Sequence, residues 1–272
     1  MAVNYASKYA SQIDERFAKE ALSAPAINQD FDFVGVKTVN VYSIPTSEMH
    51  DYTRTGTDRY GTPEELENTI QELTMSQDRS FTFTIDRGNY SDTQMINSAG
   101  AALQRQLREV VIPEIDIYRF SKICASAGTT ATGELTSTNA YDAFLDGATA
   151  LVDNKVPVSG TVAYVSSSFY KLIKLDGAFI KQSDISQNIA ITGQIGMIDG
   201  IPIVVLPKSY MPENVEFFIT NKMATTAPVK LSEYKVHDNP PGINGWLIEG
   251  RVYHDAFVLE NKKKAIYVHK TA

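Results

Sequence analysis

Cysteine is almost missing from this 272-residue chain: Cys124 stands alone, so no internal disulfide can form and a disulfide-stapled secreted scaffold is excluded. Long apolar runs are missing as well. The stretch of most interest, residues 201–206, falls far short of the ~20 residues a membrane helix needs. Residues 1–20 are polar and periodic, without the apolar segment of a signal peptide. Histidine is scarce: His50, His237, His254 and His269 never recur at helical ligand spacing, so with one cysteine no zinc pattern is present. A surplus of positive charge is lacking too. The 25 Lys and Arg face 32 Asp and Glu, a net charge of −7, which argues against non-specific phosphate binding as the main task. What remains is ordinary globular composition, 43% apolar and 21% charged. A chain of this length buries about three-quarters of its unfolded surface without staples. A soluble intracellular protein of one large domain or two smaller ones is expected.

Residues 1–26 place Tyr5, Tyr9, Ile13 and Phe17 at steps of four, one face of a helix that Pro25 would stop. A terminal helix packed on its own domain and an arm that docks elsewhere both fit. Residues 36–44 read as a strand ending at Pro45, and residues 80–86 alternate without a break, Phe81, Phe83 and Ile85 on one face. Between them, residues 45–79 hold eight acids against three bases. So long a polar excursion is functional or disordered in most compact domains. Inside it, TPEE at 62–65 reads as a capping box that opens a very short helix toward Leu66, Ile70 and Leu73. Residues 69–76 then predict a strand, with Gln77 and Asp78 as a tight turn into the Phe81 strand. The expected object is a long two-stranded protrusion.

Residues 91–112 give the clearest helix. Ser91 and Gln94 form a capping box, and Met95, Ala99, Ala102, Leu103, Leu107 and Val110 follow at three- and four-residue steps. Arg105, Arg108 and Glu109 project from its polar side. Pro113 interrupts the ladder, yet the pattern resumes through Ile115, Tyr118 and Ile123, so one kinked helix or two end to end are expected. Beyond Gly128 helix and strand alternate. Ser137 or Thr138 caps a helix over Tyr141, Phe144 and Leu151. Residues 162–165 form a buried strand, and Ser167 caps a helix over 170–175. Strands follow at 201–206 and 215–220. The tail, 246–253, 256–259 and 265–269, reads as adjacent antiparallel strands joined by the charged turn 260–264.

Sites of chemistry do not emerge. GTTATGEL at 128–135 has the glycine spacing of a phosphate-binding loop, but Glu134 and Leu135 stand where Lys and Ser or Thr must be. A carboxylate there repels phosphate, and a flexible loop is the better reading. The glycines at 193, 196 and 200 have the wrong spacing for a dinucleotide fingerprint and suit a hairpin corner. Ser166, Ser167 and Ser168 end a strand and cap a helix without a nucleophile elbow. Cys124 beside Ile123 reads as a buried structural thiol, and the three lysines at 262–264 as a solvated turn. No catalytic residue, metal or cofactor is expected.

The order of elements is itself informative: arm, two-stranded loop, long kinked helix, α/β insertion, closing strands. Together with DRSFTFTID at 78–86, IPEID at 112–116, Leu135 and Thr136, GMIDGIPIVV at 196–205 and GRVYHDAFV at 250–258, it resembles the major capsid protein of tailed bacteriophages with the HK97-like fold, an α+β architecture. The likeness spans essentially the whole chain and lies in order and spacing. It implies an N-terminal arm over 1–30, an extended loop over 31–90, a peripheral domain over 91–127 closed by strands over 238–272, and an axial domain over 128–237. It also implies a structural coat subunit, not an enzyme, that self-assembles through hexamers and pentamers into an icosahedral head. The head encloses double-stranded DNA without sequence-specific binding, in a virion assembled in the bacterial cytoplasm. Portal, decoration and separate scaffolding proteins are the implied partners, since no long scaffolding segment precedes the arm, and no membrane is involved. The Lys, Asn and Glu trio with which some members crosslink finds no place here. Arg54, Arg59 and Arg79 on the protrusion, and Arg105, Arg108 and Glu109 on the helix, become candidate inter-subunit contacts. Removal of residues 46–79 is expected to leave a folded subunit that cannot form shells. An encapsulin-like shell around a cargo enzyme is the alternative, and a stand-alone α/β enzyme is disfavoured by the missing motifs.

Overall fold

A computed structural model describes residues 21–31, 33, 37–43, 46–62, 65, 67–92, 99–176 and 194–271. The arm over 1–20, Pro63, Glu64 and Leu66 of the expected short helix, and Gln94 and Met95 of the expected capping region lie outside the described residues. Strands β1 (Thr38–Ser43) and β2 (Thr69–Thr74) pair antiparallel, and β3 (Gln77–Asp86) leaves them for another sheet. Helices α1 (Arg87–Asp92), α2 (Ala99–Gln106) and α3 (Ile112–Ala125) follow, α2 running into α3 through a π-turn at Leu107–Val111. Next come β4 (Thr129–Thr132), α4 (Ala140–Asp153), β5 (Thr161–Ser166) and α5 (Ser167–Leu175). Strands β6 (Gln194–Ile198), β7 (Ile201–Leu206), β8 (Val215–Asn221) and β9 (Thr225–Thr226) precede β10 (Val229–Asp238), β11 (Gly245–His254), β12 (Phe257–Val258) and β13 (Ile266–Lys270).

Pro113 accounts for the π-turn. Proline lacks an N–H and its ring crowds the carbonyl four residues back, so the ladder must widen; the Ile112 N–H donates to the Leu107 carbonyl, five residues back. The helix therefore continues through the proline. Its buried row becomes Leu103, Leu107, Val111 and Ile115 against Tyr234, Ile248 and Val252. Val110, expected in that row, is left 45% exposed because the wider turn advances the face by one residue.

The sheet under this half of the helix has the order β10-β11-β3, all antiparallel. Phe81, Phe83 and Ile85 face the helix as the alternation predicts. Gly250 lies opposite both Phe81 and Tyr234, whose rings stack over it; an added Cβ would overlap the Phe81 ring. The other half of α3 serves a second sheet, ordered β4-β13-β8-β5-β7-β6. Phe120, Ile123 and Cys124 pack on Val162, Tyr164, Phe218 and Val268. Helices α4 and α5 cover the opposite face through Phe144, Phe169 and Ile173 against Ala163, Val165, Phe217 and Ile219. Every residue of β5 is buried because both faces of its sheet are covered.

Several expectations are corrected. Gln77 and Asp78 belong to β3 and pair with β11, so the switch between sheets falls at Met75 and Ser76. The tail strands are not neighbours: β11 pairs with β10 and β3, β12 with β9, and β13 with β8 and β4. The sheets therefore divide differently from the bounds 128–237 and 238–272, since β10 joins β11 and β3 while β13 enters the six-stranded sheet. Residues 129–132 are a strand, β4, parallel to β13, and not a flexible loop. The caps shift as well. Ser166, not Ser167, caps α5 by accepting from the Phe169 N–H, and at α4 the Tyr141 N–H is taken by the buried Asp176 carboxylate.

Candidate functional site

The near-motifs dissolve once placed. Gly128 sits with its N–H on the Lys263 carbonyl, and a Cβ there would come within 2.5 Å of the Lys263 backbone, so this glycine serves strand packing. Ser166 and Ser168 both donate to the Glu216 carboxylate, at 2.6 and 3.0 Å, which occupies their protons in a cap. Cys124 is buried and burial pushes its thiol pKa up, away from the reactive thiolate. Among the described residues no three His, Cys, Asp or Glu side chains gather as metal ligands, and no helix is long and apolar enough to cross a membrane.

What α3 does carry is two anchors within a single turn. On the first, the Asp116 carboxylate accepts from the Leu22 N–H at 2.9 Å, the Ser23 N–H at 3.3 Å and the Ser23 hydroxyl at 2.6 Å. Arg119 Nη1 donates to the same hydroxyl at 3.0 Å, and the Tyr164 hydroxyl donates to the Leu22 carbonyl. Residues 26–28 run on into the body: Ala26 and Ile27 enter the core against the six-stranded sheet, and Asn28 exchanges main-chain bonds with Thr225 and Ala227 beside β9 of the two-stranded sheet. Residues 22–28 are thereby fixed to the body of their own chain. Burial raises the Asp116 pKa against these donors, and burial lowers that of Arg119.

On the second anchor, the Tyr118 hydroxyl donates to Asp255 Oδ1 at 2.7 Å, and the Ser76 N–H and hydroxyl donate to Asp255 Oδ2 at 2.7 and 2.9 Å. Burial and that carboxylate push the Tyr118 pKa up to about 12. Ser76 is the switch between sheets, so the root of the hairpin is held there. His254, wedged between the anchors with its ring against Tyr118, is driven by burial and by Arg119 from 6.5 down to about 4, hence neutral. Sequence reasoning missed Ser23, Ser76, Asp116, Arg119 and Asp255. A signal was present: Asp116 and Arg119 fall on the apolar row of Ile112, Ile115 and Ile123, where unpaired charge is costly.

The hairpin is also clasped along its length. Gln71 Nε2 donates to the Val258 carbonyl at 2.9 Å while its Oε1 accepts from the Glu260 N–H at 2.9 Å, as a neighbouring strand would. Leu73 and Met75 are buried with Phe33 and Leu259. Residues 46–60 run on from this clasp into solvent. There Arg59 folds back on the Gly56 carbonyl, Arg54 is exposed, and the Tyr52 and Tyr60 rings meet edge-on at 5.0 Å. Of the residues expected at interfaces, Arg105, Arg108 and Glu109 are exposed on the helix. Arg79 is not on the protrusion: it opens β3 and pairs with Glu114 of its own chain at 2.6 Å.

No protein-family model matches this sequence, and no curated protein matches it. Solved structures do. The capsid structure of the cyanophage P-SCSP1u superposes with a TM-score of 0.69 at 12% identity, over 91% of this chain and 86% of that one. The head structure of the Helicobacter pylori bacteriophage KHP40 gives 0.68 at 9%, over 93% and 90%. A virus-like particle from Pyrococcus furiosus gives 0.59 at 13%, over 98% and 100%. At such identities the likeness establishes a shared fold.

Proposed function

We propose that this chain, which has the HK97-like α+β fold of those phage capsids, is the coat subunit of an icosahedral phage head, built through hexamers and pentamers around enclosed double-stranded DNA. The observation that carries the reading is the pair of anchors on α3. A monomer gains nothing from fixing the roots of an arm and a hairpin so firmly while leaving Met49, Tyr52 and Tyr60 in water; a shell subunit that reaches over its neighbour does. In this reading residues 1–30 are the arm, and the extended loop expected over 31–90 ends at Ser76, where β3 joins the peripheral sheet. The long helix with β3, β10 and β11 forms the peripheral domain, and the six-stranded sheet with α4 and α5 forms the axial one. Arg54, Arg59, Arg105, Arg108 and Glu109 make contacts between subunits, while Arg79 is engaged at home. Such contacts are heterologous, as rings require, and exposed ion pairs among them add only about 0–1 kcal/mol each. Scaffolding, portal and decoration proteins would be separate chains, assembly would take place in the bacterial cytoplasm, and no catalytic role is assigned.

Light scattering with negative-stain imaging of the purified chain tests this. Megadalton shells, or hexamers and pentamers, are expected; a 30 kDa species that stays single after co-expression with its neighbouring genes refutes it. The loop deletion must be narrower than 46–79, because β2, Met75 and the start of β3 are structural. Replacing 46–67 by an Asn-Gly turn should leave a folded subunit that forms no shells. The likeness to the Pyrococcus furiosus particle favours a second reading, a compartment around a cargo protein. Shells purified with stoichiometric protein cargo and no DNA would select it.

A further inference from the structure

The chain has a net charge of −7, yet one corner of it is basic. The short helical turn Glu260–Ala265, which carries Lys262, Lys263 and Lys264, is where several other segments meet. Just past the end of α3, the Gly128 N–H donates to the Lys263 carbonyl, which brings up Lys122 from the last turn of that helix. Just past the end of α4, Asn154 Nδ2 donates to the Lys264 carbonyl at 3.5 Å, with Lys155 next in the chain. The Leu259 N–H donates to the Ala224 carbonyl, which seats the turn Lys222–Ala224 alongside, and Asn28 Nδ2 donates to the Lys222 carbonyl at 3.0 Å. The acids on these segments are Asp30, Asp153 and Glu260. Six lysines therefore face three carboxylates.

Two of the six have a use at home. Lys122 sits at the carbonyl end of α3, where a cation is favoured, with its Nζ 5.4 Å from the centre of the Tyr118 ring. Lys263 pairs with Glu260 at 2.6 Å. Lys155, Lys222, Lys262 and Lys264 engage no carboxylate among the described residues, and like charges gathered on one corner repel. Solubility does not account for them, since a chain at −7 is already kept apart by its charge. The residue type is informative too. Arginine would fork onto a single carboxylate or phosphate in fixed geometry, whereas lysine is a point charge on a flexible stem, suited to a line of phosphates held loosely. We propose that Lys155, Lys222, Lys262 and Lys264 form a contact for the phosphate backbone of double-stranded DNA, without reading its bases, and that this corner faces the inside of the shell. The contact rests on the coat reading and gives the enclosed DNA its place on the subunit. One basic point per copy, repeated over the shell on subunits that are acidic overall, tethers a polyanion through counterion release without binding it everywhere.

Fluorescence anisotropy of a labelled duplex of about 20 base pairs, titrated with the full chain below the concentration at which shells form, tests the contact. Binding should weaken linearly with the logarithm of salt concentration. The combined variant Lys155→Gln, Lys222→Gln, Lys262→Gln and Lys264→Gln should flatten that slope by about 3–4, at ~0.9 per lost phosphate contact. Lys171→Gln, Lys174→Gln, Lys208→Gln and Lys235→Gln together remove the same charge from exposed positions elsewhere and should leave the slope as it is. A second measurement needs no variant: lysine acetylation of intact heads, read by mass spectrometry, should modify Lys222 and Lys264 less in DNA-filled than in empty heads, with Lys171 equal in both. A parent chain that ignores the duplex at low salt, equal slopes in the two variants, or equal acetylation in filled and empty heads overturns the contact and leaves the coat reading intact. Poly-glutamate bound as tightly as the duplex, and lost with the same four lysines, gives the corner to an acidic protein instead and overturns it too. A chain that never associates, alone or co-expressed, overturns both.

Discussion

Replacing Ser23 by alanine removes one oxygen from the most constrained point of the molecule. The hydroxyl donates to Asp116 at 2.6 Å and accepts from Arg119 at 3.0 Å, and the residue has no exposed surface. Alanine fills nearly the same space, so packing changes little and the effect is electrostatic. Hydrogen bonds to charged groups are worth about 1.5–3 kcal/mol each. Asp116 keeps the two main-chain donors from Leu22 and Ser23, which limits the loss on its side. Arg119 fares worse, because its Nε already lacks a partner while buried. A destabilisation of about 2–4 kcal/mol follows, a large part of the 5–15 kcal/mol typical of a domain. Urea unfolding at pH 7 should show it as a lower midpoint with an unchanged slope. Hydrogen exchange should show amides of residues 22–28 opening well before those of β5. Ser47→Ala, which removes an exposed hydroxyl bonded only to the next residue, is the control and should be silent. A Ser23→Ala midpoint within 0.5 kcal/mol of the parent, or arm-root amides that exchange no faster, would show that the buried polar chain does not hold the arm.

Other consequences follow from the same geometry. His254 has a folded pKa near 4 against 6.5 unfolded, so its stabilising effect is complete above pH 6.5 and is lost as pH falls toward 4. The loss is up to ~3 kcal/mol, and His254→Gln should flatten that part of the urea-midpoint profile; parallel profiles would rule it out. Asp116, raised by burial, titrates with the opposite sign, which is why the difference between variant and parent is the quantity to read. Gly250→Ala should cost about 1–3 kcal/mol by forcing Phe81 aside, and Phe81→Leu in the same chain should recover part of it; additive effects would contradict the overlap. Gln71→Ala should leave the global midpoint within about 1–2 kcal/mol but speed exchange across β1 and β2, and unchanged hairpin exchange would discount the clasp.

Periodicity carried the sequence reading where one face of an element meets one core. The alternation at 80–86, the buried 162–165 run and the helix with Pro113 are all present, and their order carried the fold. The failures share a cause. Strands at 246–253, 256–259 and 265–269 look adjacent because consecutive strands commonly are, but three different sheets recruit them, and pairing with strands elsewhere in the chain leaves no mark in local pattern. Val110 was misassigned because a π-turn breaks the 3.6-residue period that the reading relied on. For GTTATGEL the broken phosphate-loop pattern points to a loop, yet parallel pairing with β13 makes its residues 129–132 a strand. The candidate contact residues were legible only as exposed charge; that Tyr42 and Ile70 face each other as an exposed apolar pair became visible once their register was known.

The two anchors explain why so much of the chain can be exposed without unfolding. A two-stranded hairpin is marginal in water, and an acidic segment repels itself as well as other copies. Here neither has to be stable alone. Asp116 spends a buried carboxylate on Leu22 and Ser23, Asp255 spends one on Ser76 at the root of the hairpin, and both meet α3 within the span 116–119, the part of the helix that touches the six-stranded sheet. Buried polar groups are costly unless satisfied, so a core that needed only stability would place apolar side chains at 116 and 119. Retaining the charges fixes two exit directions relative to one rigid helix. That is of use if something outside the chain depends on where residues 22–28 and the hairpin root sit, as the neighbouring subunit of the proposed shell would.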